Sequence, residues 1–64
     1  MRHWLIQLRK KSGLSQKQVA IQASISQNHY CNIETGFRNP SIAVAKRIAN
    51  ALNFHWTAFY DIKD

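Results

Sequence analysis

Apolar residues recur along the chain at helical spacing, and the pattern breaks at a few short polar stretches. Leu5 and Leu8, with Trp4 one turn before Leu8, give residues 2 to 12 an apolar face. Arg9, Lys10 and Lys11 crowd the end of that segment, where cations suit the negative end of the helix dipole, and Gly13 supplies a C-terminal cap. Ser15, with Gln18 three residues later, has the form of a capping box. It predicts a second helix running to about Gln22, with Val19, Ala20 and Ala23 on the inner side. Ser26 opens a third helix from Gln27 to about Glu34. Tyr30, Ile33 and Glu34 share one face of it, while Gln27, Asn28 and Asn32 fall elsewhere. Thr35 and Gly36 end that helix, and Asn39, Pro40 and Ser41 form a turn. Ser41 caps a fourth helix with an inner stripe of Ile42, Ala45, Ile48, Ala49 and Leu52. Asn53, which tolerates the left-handed conformation, closes it, and a short fifth helix is predicted over residues 56 to 61. No useful length alternates with period two, so the class is all-α.

The second and third helices are short and are joined only by Ala23, Ser24 and Ile25. A connection this tight sets two helices near a right angle, the arrangement of a helix-turn-helix over about residues 15 to 34. Ala20 and Ala23 let the axes approach closely, and Ile25 can plug the space between them.

The chain's 64 residues allow one domain, since two cores could not be buried. Cys31 is the only cysteine, which rules out an intrachain disulfide and fits a reducing, cytoplasmic setting. His3, His29 and His55 lie too far apart to suggest a metal, and no cofactor or small-molecule ligand is implied. There is no apolar run long enough for a membrane span or a secretory signal. Charge changes the picture more. Nine Lys and Arg face three acids, a net charge of +6, and Asp61 and Asp64 leave Glu34 as the one acid in the first sixty residues. Such an excess favours phosphate-bearing partners.

Arg9 in the first helix, then Leu14, Ser15 and Gln16, Val19 and Ala20, Ile25 and Ser26 form an ordered series of short motifs. Ile33, Glu34, Thr35 and Gly36 follow, then Asn39, Pro40 and Ser41, and finally Ala49 to Leu52 with Phe54. In this series the chain resembles the Cro/repressor-type (XRE-like) helix-turn-helix proteins, over about residues 5 to 60. The resemblance implies a compact five-helix, lambda-repressor-like DNA-binding domain over residues 1 to 64. It places Gln27, Asn28 and Asn32 at positions that reach base edges. An amide carries a donor and an acceptor together and so matches N6 and N7 of adenine in the major groove. His29 lies beside that edge and faces a base, a phosphate or water. Gln16 takes the position that contacts a DNA phosphate and braces the recognition helix. Lys10, Lys17, Arg38 and Asn39 are further candidates for the DNA backbone, where contacts fix register without reading sequence. Cys31 falls at the margin of the interface. The resemblance also pairs Glu34 with Arg9 as a scaffold ion pair, because a lone inward carboxylate would be costly to bury.

Three departures stand out, the mildest being Asn53 in place of another frequent Gly. Ser24 occupies a turn position where the family usually has Gly, so either a strained residue is tolerated or the turn differs. Ile21 lies where a polar residue is frequent, with no evident reason.

Four of the seven aromatic residues, Phe54, Trp56, Phe59 and Tyr60, fall in the last eleven positions. Phe54 and Phe59 are expected to close the core. Trp56 and Tyr60 either join them or form a subunit interface, where such side chains are enriched. Together these readings give a non-enzymatic, sequence-specific transcriptional regulator, a repressor, binding double-stranded DNA as a homodimer through its aromatic end. The alternative is an antitoxin-like or anti-regulator module that uses the same fold to bind a protein. Neither a paired carboxylate nor a Ser/His/Asp set or Gly-rich phosphate loop is present to support catalysis.

Overall fold

The computed structural model describes residues 1–61. Its elements are α1 (His3–Lys11), α2 (Gln16–Gln22), α3 (Gln27–Thr35), α4 (Ile42–Leu52) and α5 (Ala58–Asp61). Three of the five helices begin at a serine, as their sequences require. The Ser15 hydroxyl accepts the Gln18 amide, Ser26 that of His29 and Ser41 that of Val44, each filling a donor that the first helical turn leaves open. At Ser15 the box is complete, because the Gln18 side chain accepts the Ser15 amide at 2.8 Å.

Helix ends are equally local. The chain turns through left-handed backbone at Gly13, Ser24, Gly36 and Asn53. After α2, the amide of Ser24 donates to the Ile21 carbonyl and that of Ile25 to the Ala20 carbonyl, the pair of bonds that closes a Schellman turn. Ser24 therefore carries φ +59°, so the turn keeps its glycine-like geometry and a serine bears the strain. Arg47 of α4 secures the same turn by donating from Nε to the Ala23 carbonyl at 2.7 Å.

The core joins Leu5, Val19, Ala20, Ala23, Tyr30, Ile33, Ala45, Ile48, Leu52 and Phe59. α2 packs on both α3 and α4, and Ala20, Ala23 and Ala45 are buried in the core they share. Trp4, Phe54 and Phe59 form an aromatic triangle with centroids 5.1–5.7 Å apart, so both phenylalanines close the core beside α1.

Two expectations change. Ile42 is not part of the inner stripe of α4: it is 54% exposed, and Val44 is buried instead. Ile42 lies at one margin of the buried face, whereas Val44, in the same turn, lies at the other margin and is covered. The fifth helix begins at Ala58 rather than residue 56. The His55 ring holds the chain in a turn there, with Nδ1 accepting the Thr57 amide and lying 2.7 Å from the Thr57 hydroxyl. α1 is one residue shorter at each end than expected, with Arg2 and Ser12 as its caps. Among the described residues no helix is long and apolar enough to cross a membrane.

Candidate nucleic-acid interface

Glu34 organises the molecule's functional side. It is the one buried charged residue among those described, 2% exposed on the inner face of α3. Its carboxylate accepts from three different helices. Arg9 of α1 donates from Nε at 2.5 Å, Gln16 of α2 from Nε2 at 3.0 Å, and Tyr30 of α3 from its hydroxyl at 2.7 Å. Arg9 also donates to the carbonyl of Leu14 in the turn between α1 and α2. Burial alone would push the Glu34 carboxyl upward. The hydrogen bonds from Arg9, Gln16 and Tyr30 outweigh that and hold it below the ordinary carboxylate range. Burial and the same carboxylate push the Tyr30 phenol far above its usual value, so it stays a donor. The Arg9 guanidinium is raised chiefly by its hydrogen bond to Glu34. No buried side-chain polar atom among the described residues lacks a partner.

This arrangement gives Gln16 a fixed orientation. Its amide is tied inward to Glu34, yet it lines a surface groove of about 410 Å³ with Gln27, Asn28 and Cys31. Gln27 and Asn28 are exposed in the first turn of α3, and neither side chain hydrogen-bonds to another described residue. The start of α2 and the start of α3 therefore present three amides side by side. Cys31 sits half-buried in the same groove.

The other expected site residues are distributed around this edge. His29 is half-buried one position on, and its backbone is fixed by Ser26. Asn32 is half-buried, and its carbonyl accepts from the Thr35 hydroxyl and the Arg38 amide. The loop after α3 thus folds back on that helix and holds Arg38 and Asn39 exposed beside it. Lys17 is exposed in the first turn of α2. Lys10 stands apart from the amides, in a groove on α1 with Trp4, Gln7, Leu8 and Lys11. Trp56 and Tyr60 meet edge to face at 5.9 Å, with Tyr60 55% exposed.

Arg2 is the residue that sequence reasoning missed. Its backbone amide donates to the Glu34 carbonyl at 2.7 Å. Its guanidinium reaches the carbonyls of Ile33 and Arg38 and the side-chain oxygen of Asn39. It staples the end of α3 to the following loop across more than thirty residues of sequence, a separation that no local pattern reports. Because an arginine only donates, it is the oxygen of the Asn39 amide that faces Arg2.

Comparison with known proteins agrees with this geometry. A helix-turn-helix family model matches residues 5–59. An uncharacterized HTH-type transcriptional regulator, YqaF, from Bacillus subtilis (strain 168) is 43% identical over 61 residues, covering 95% of this chain and 80% of that protein. No solved structure matches.

Proposed function

The chain belongs to the helix-turn-helix family of DNA-binding transcriptional regulators, and from that premise we propose that it is a sequence-specific repressor acting as a dimer on an inverted-repeat operator. The observation that carries this reading is the shared groove of Gln16, Gln27 and Asn28, with two of the amides making no side-chain hydrogen bond to another described residue. In the proposal α3 enters the major groove. Gln27 and Asn28 read adenine edges, Asn32 lies one turn farther along, and His29 flanks them. Gln16, Lys10, Lys17, Arg38 and Asn39 contact phosphates. The Glu34 hydrogen bond orients Gln16 before DNA arrives, so its ordering cost is met on folding.

The dimer would use the surface of Trp56 and Tyr60. Ile42 supports it as well as those two aromatics. It lies one turn before Lys46 on α4, and the Lys46 ammonium sits 5.3 Å above the Trp56 ring. Ile42 and Tyr60 are both exposed, and Tyr60 meets Trp56 edge to face, which makes them candidates for that surface. A two-fold axis there would set the two α3 helices about 34 Å apart, one turn of DNA.

Selection of bound sequences from a random duplex pool tests the proposal. The expected product is an inverted repeat whose half-sites are one helical turn apart, with affinity that falls steeply as salt rises. A pool that yields no enriched sequence would contradict it.

A further inference from the structure

Phe37 is the most exposed large apolar side chain among the described residues, at 76%. The fold makes no use of it: Phe37 belongs neither to the core nor to the partly buried side chains packed on it. The backbone that carries it is nonetheless fixed. Gly36 turns left-handed just before it, the Arg38 amide just after it donates to the Asn32 carbonyl, and Arg2 grips the carbonyl of Arg38 and the side chain of Asn39. An aromatic ring is thus presented to solvent on a pinned loop, between the recognition helix and two polar side chains suited to phosphate.

We propose that Phe37 is an apolar DNA contact, packing against an aliphatic surface of the duplex at the edge of the half-site. This rests on the DNA-binding reading above and assigns to it a residue of a different chemistry from the amides. The duplex offers two such surfaces, the C5-methyl of thymine and the C–H face of deoxyribose. The first would add sequence preference. The second would add affinity alone. The place of Phe37 on the loop directly after the recognition helix, followed in the chain by exposed Arg38 and Asn39, the two side chains assigned to phosphate, favours DNA over a protein partner.

The test compares wild type with Phe37→Ala and Phe37→Leu on the duplex that wild type selects, with uracil replacing each thymine in turn. Phe37→Ala is expected to weaken binding roughly tenfold, with Phe37→Leu intermediate. Melting temperature, dimerisation and the salt slope should stay at wild-type values, since no charge is removed. A thymine methyl is identified if one uracil substitution weakens wild type but not Phe37→Ala. Deoxyribose is identified if no uracil position couples and Phe37→Ala loses hydroxyl-radical protection at one backbone segment. Wild-type affinity in Phe37→Ala overturns the proposal, as does an affinity loss that tracks weaker dimerisation. If wild type selects no sequence, the DNA reading fails first and the role of Phe37 falls with it.

Discussion

The two ends of α3 are built on opposite plans. Its C-terminal half is closed: Tyr30, Ile33 and Glu34 are buried, and the Glu34 carboxylate is saturated by Arg9, Gln16 and Tyr30. Its N-terminal half is open: Gln27 and Asn28 are exposed, with no hydrogen bond to a described residue. One helix therefore carries both a rigid anchor and an edge whose side-chain hydrogen-bonding capacity is unused among the described residues. Gln16 alone belongs to both, lining the open groove while bonded to the closed hub. A reading edge can be precise without internal bonds if the helix beneath it cannot move.

The largest effect should come from breaking the anchor. Removing one partner of a buried ion pair leaves the other charge uncompensated, so Arg9→Ala or Glu34→Ala should lower stability by roughly 3–5 kcal/mol in chemical denaturation. The hub also sets the pH limits of the fold. The Glu34 carboxyl is depressed in the folded state, so its contribution is complete above the ordinary carboxylate value near 4.3 and is lost as pH falls through the lower folded value. Tyr30 has the opposite sign. Its raised folded value means that stability drops as pH climbs past about 10, where the unfolded phenol ionises and the folded one does not. Tyr30→Phe should flatten the alkaline limb in a pH series of thermal melts and also weaken the acid limb, because it removes one of the three hydrogen bonds that lower the Glu34 carboxyl.

A smaller effect tests the turn that joins anchor to edge. Ser24 holds left-handed backbone that costs an L-residue roughly 1–2 kcal/mol, so Ser24→Gly should recover up to about 1 kcal/mol of stability. Its DNA preference should not change, because Ser24 adopts the backbone a glycine would. The smallest effect belongs to single charges. Lys17→Ala should weaken binding almost equally on all sequences and reduce the slope of log affinity against log salt by about one.

Much of the fold is legible in the sequence because it is local. Caps at Ser15, Ser26 and Ser41 and the turn residues Gly13, Gly36 and Asn53 act within a few positions, so a short window of sequence contains both partners. The Arg9–Glu34 pair is reached only through a family resemblance, since 25 residues separate the partners. Distance in sequence also hides the donation of Gln16 to Glu34, the staple made by Arg2 and the grip of Arg47 on the Ala23 carbonyl. Ile42 shows a different limit. Periodicity gives the face of a helix but not where its margins fall, so Ile42 at one margin reads as core and is exposed, while Val44 at the other margin is buried. Phe37 escapes apolar patterning, which has no way to mark a side chain that the fold leaves over. Ile21, 66% exposed on α2, has no structural explanation.

The central claim is that the edge is energetically separate from the anchor, and one paired measurement tests it. Gln27→Ala and Asn28→Ala, singly and together, are compared with wild type for unfolding free energy and for affinity on the selected and on an unrelated duplex. Stability should stay within about 0.5 kcal/mol of wild type, because the side chains are exposed and make no hydrogen bond to a described residue. Discrimination between the two duplexes should fall by about 1–3 kcal/mol for each bidentate amide–adenine pairing removed, while binding to the unrelated duplex is retained. Unchanged discrimination in the double variant would contradict the assignment of this edge as the reader of sequence.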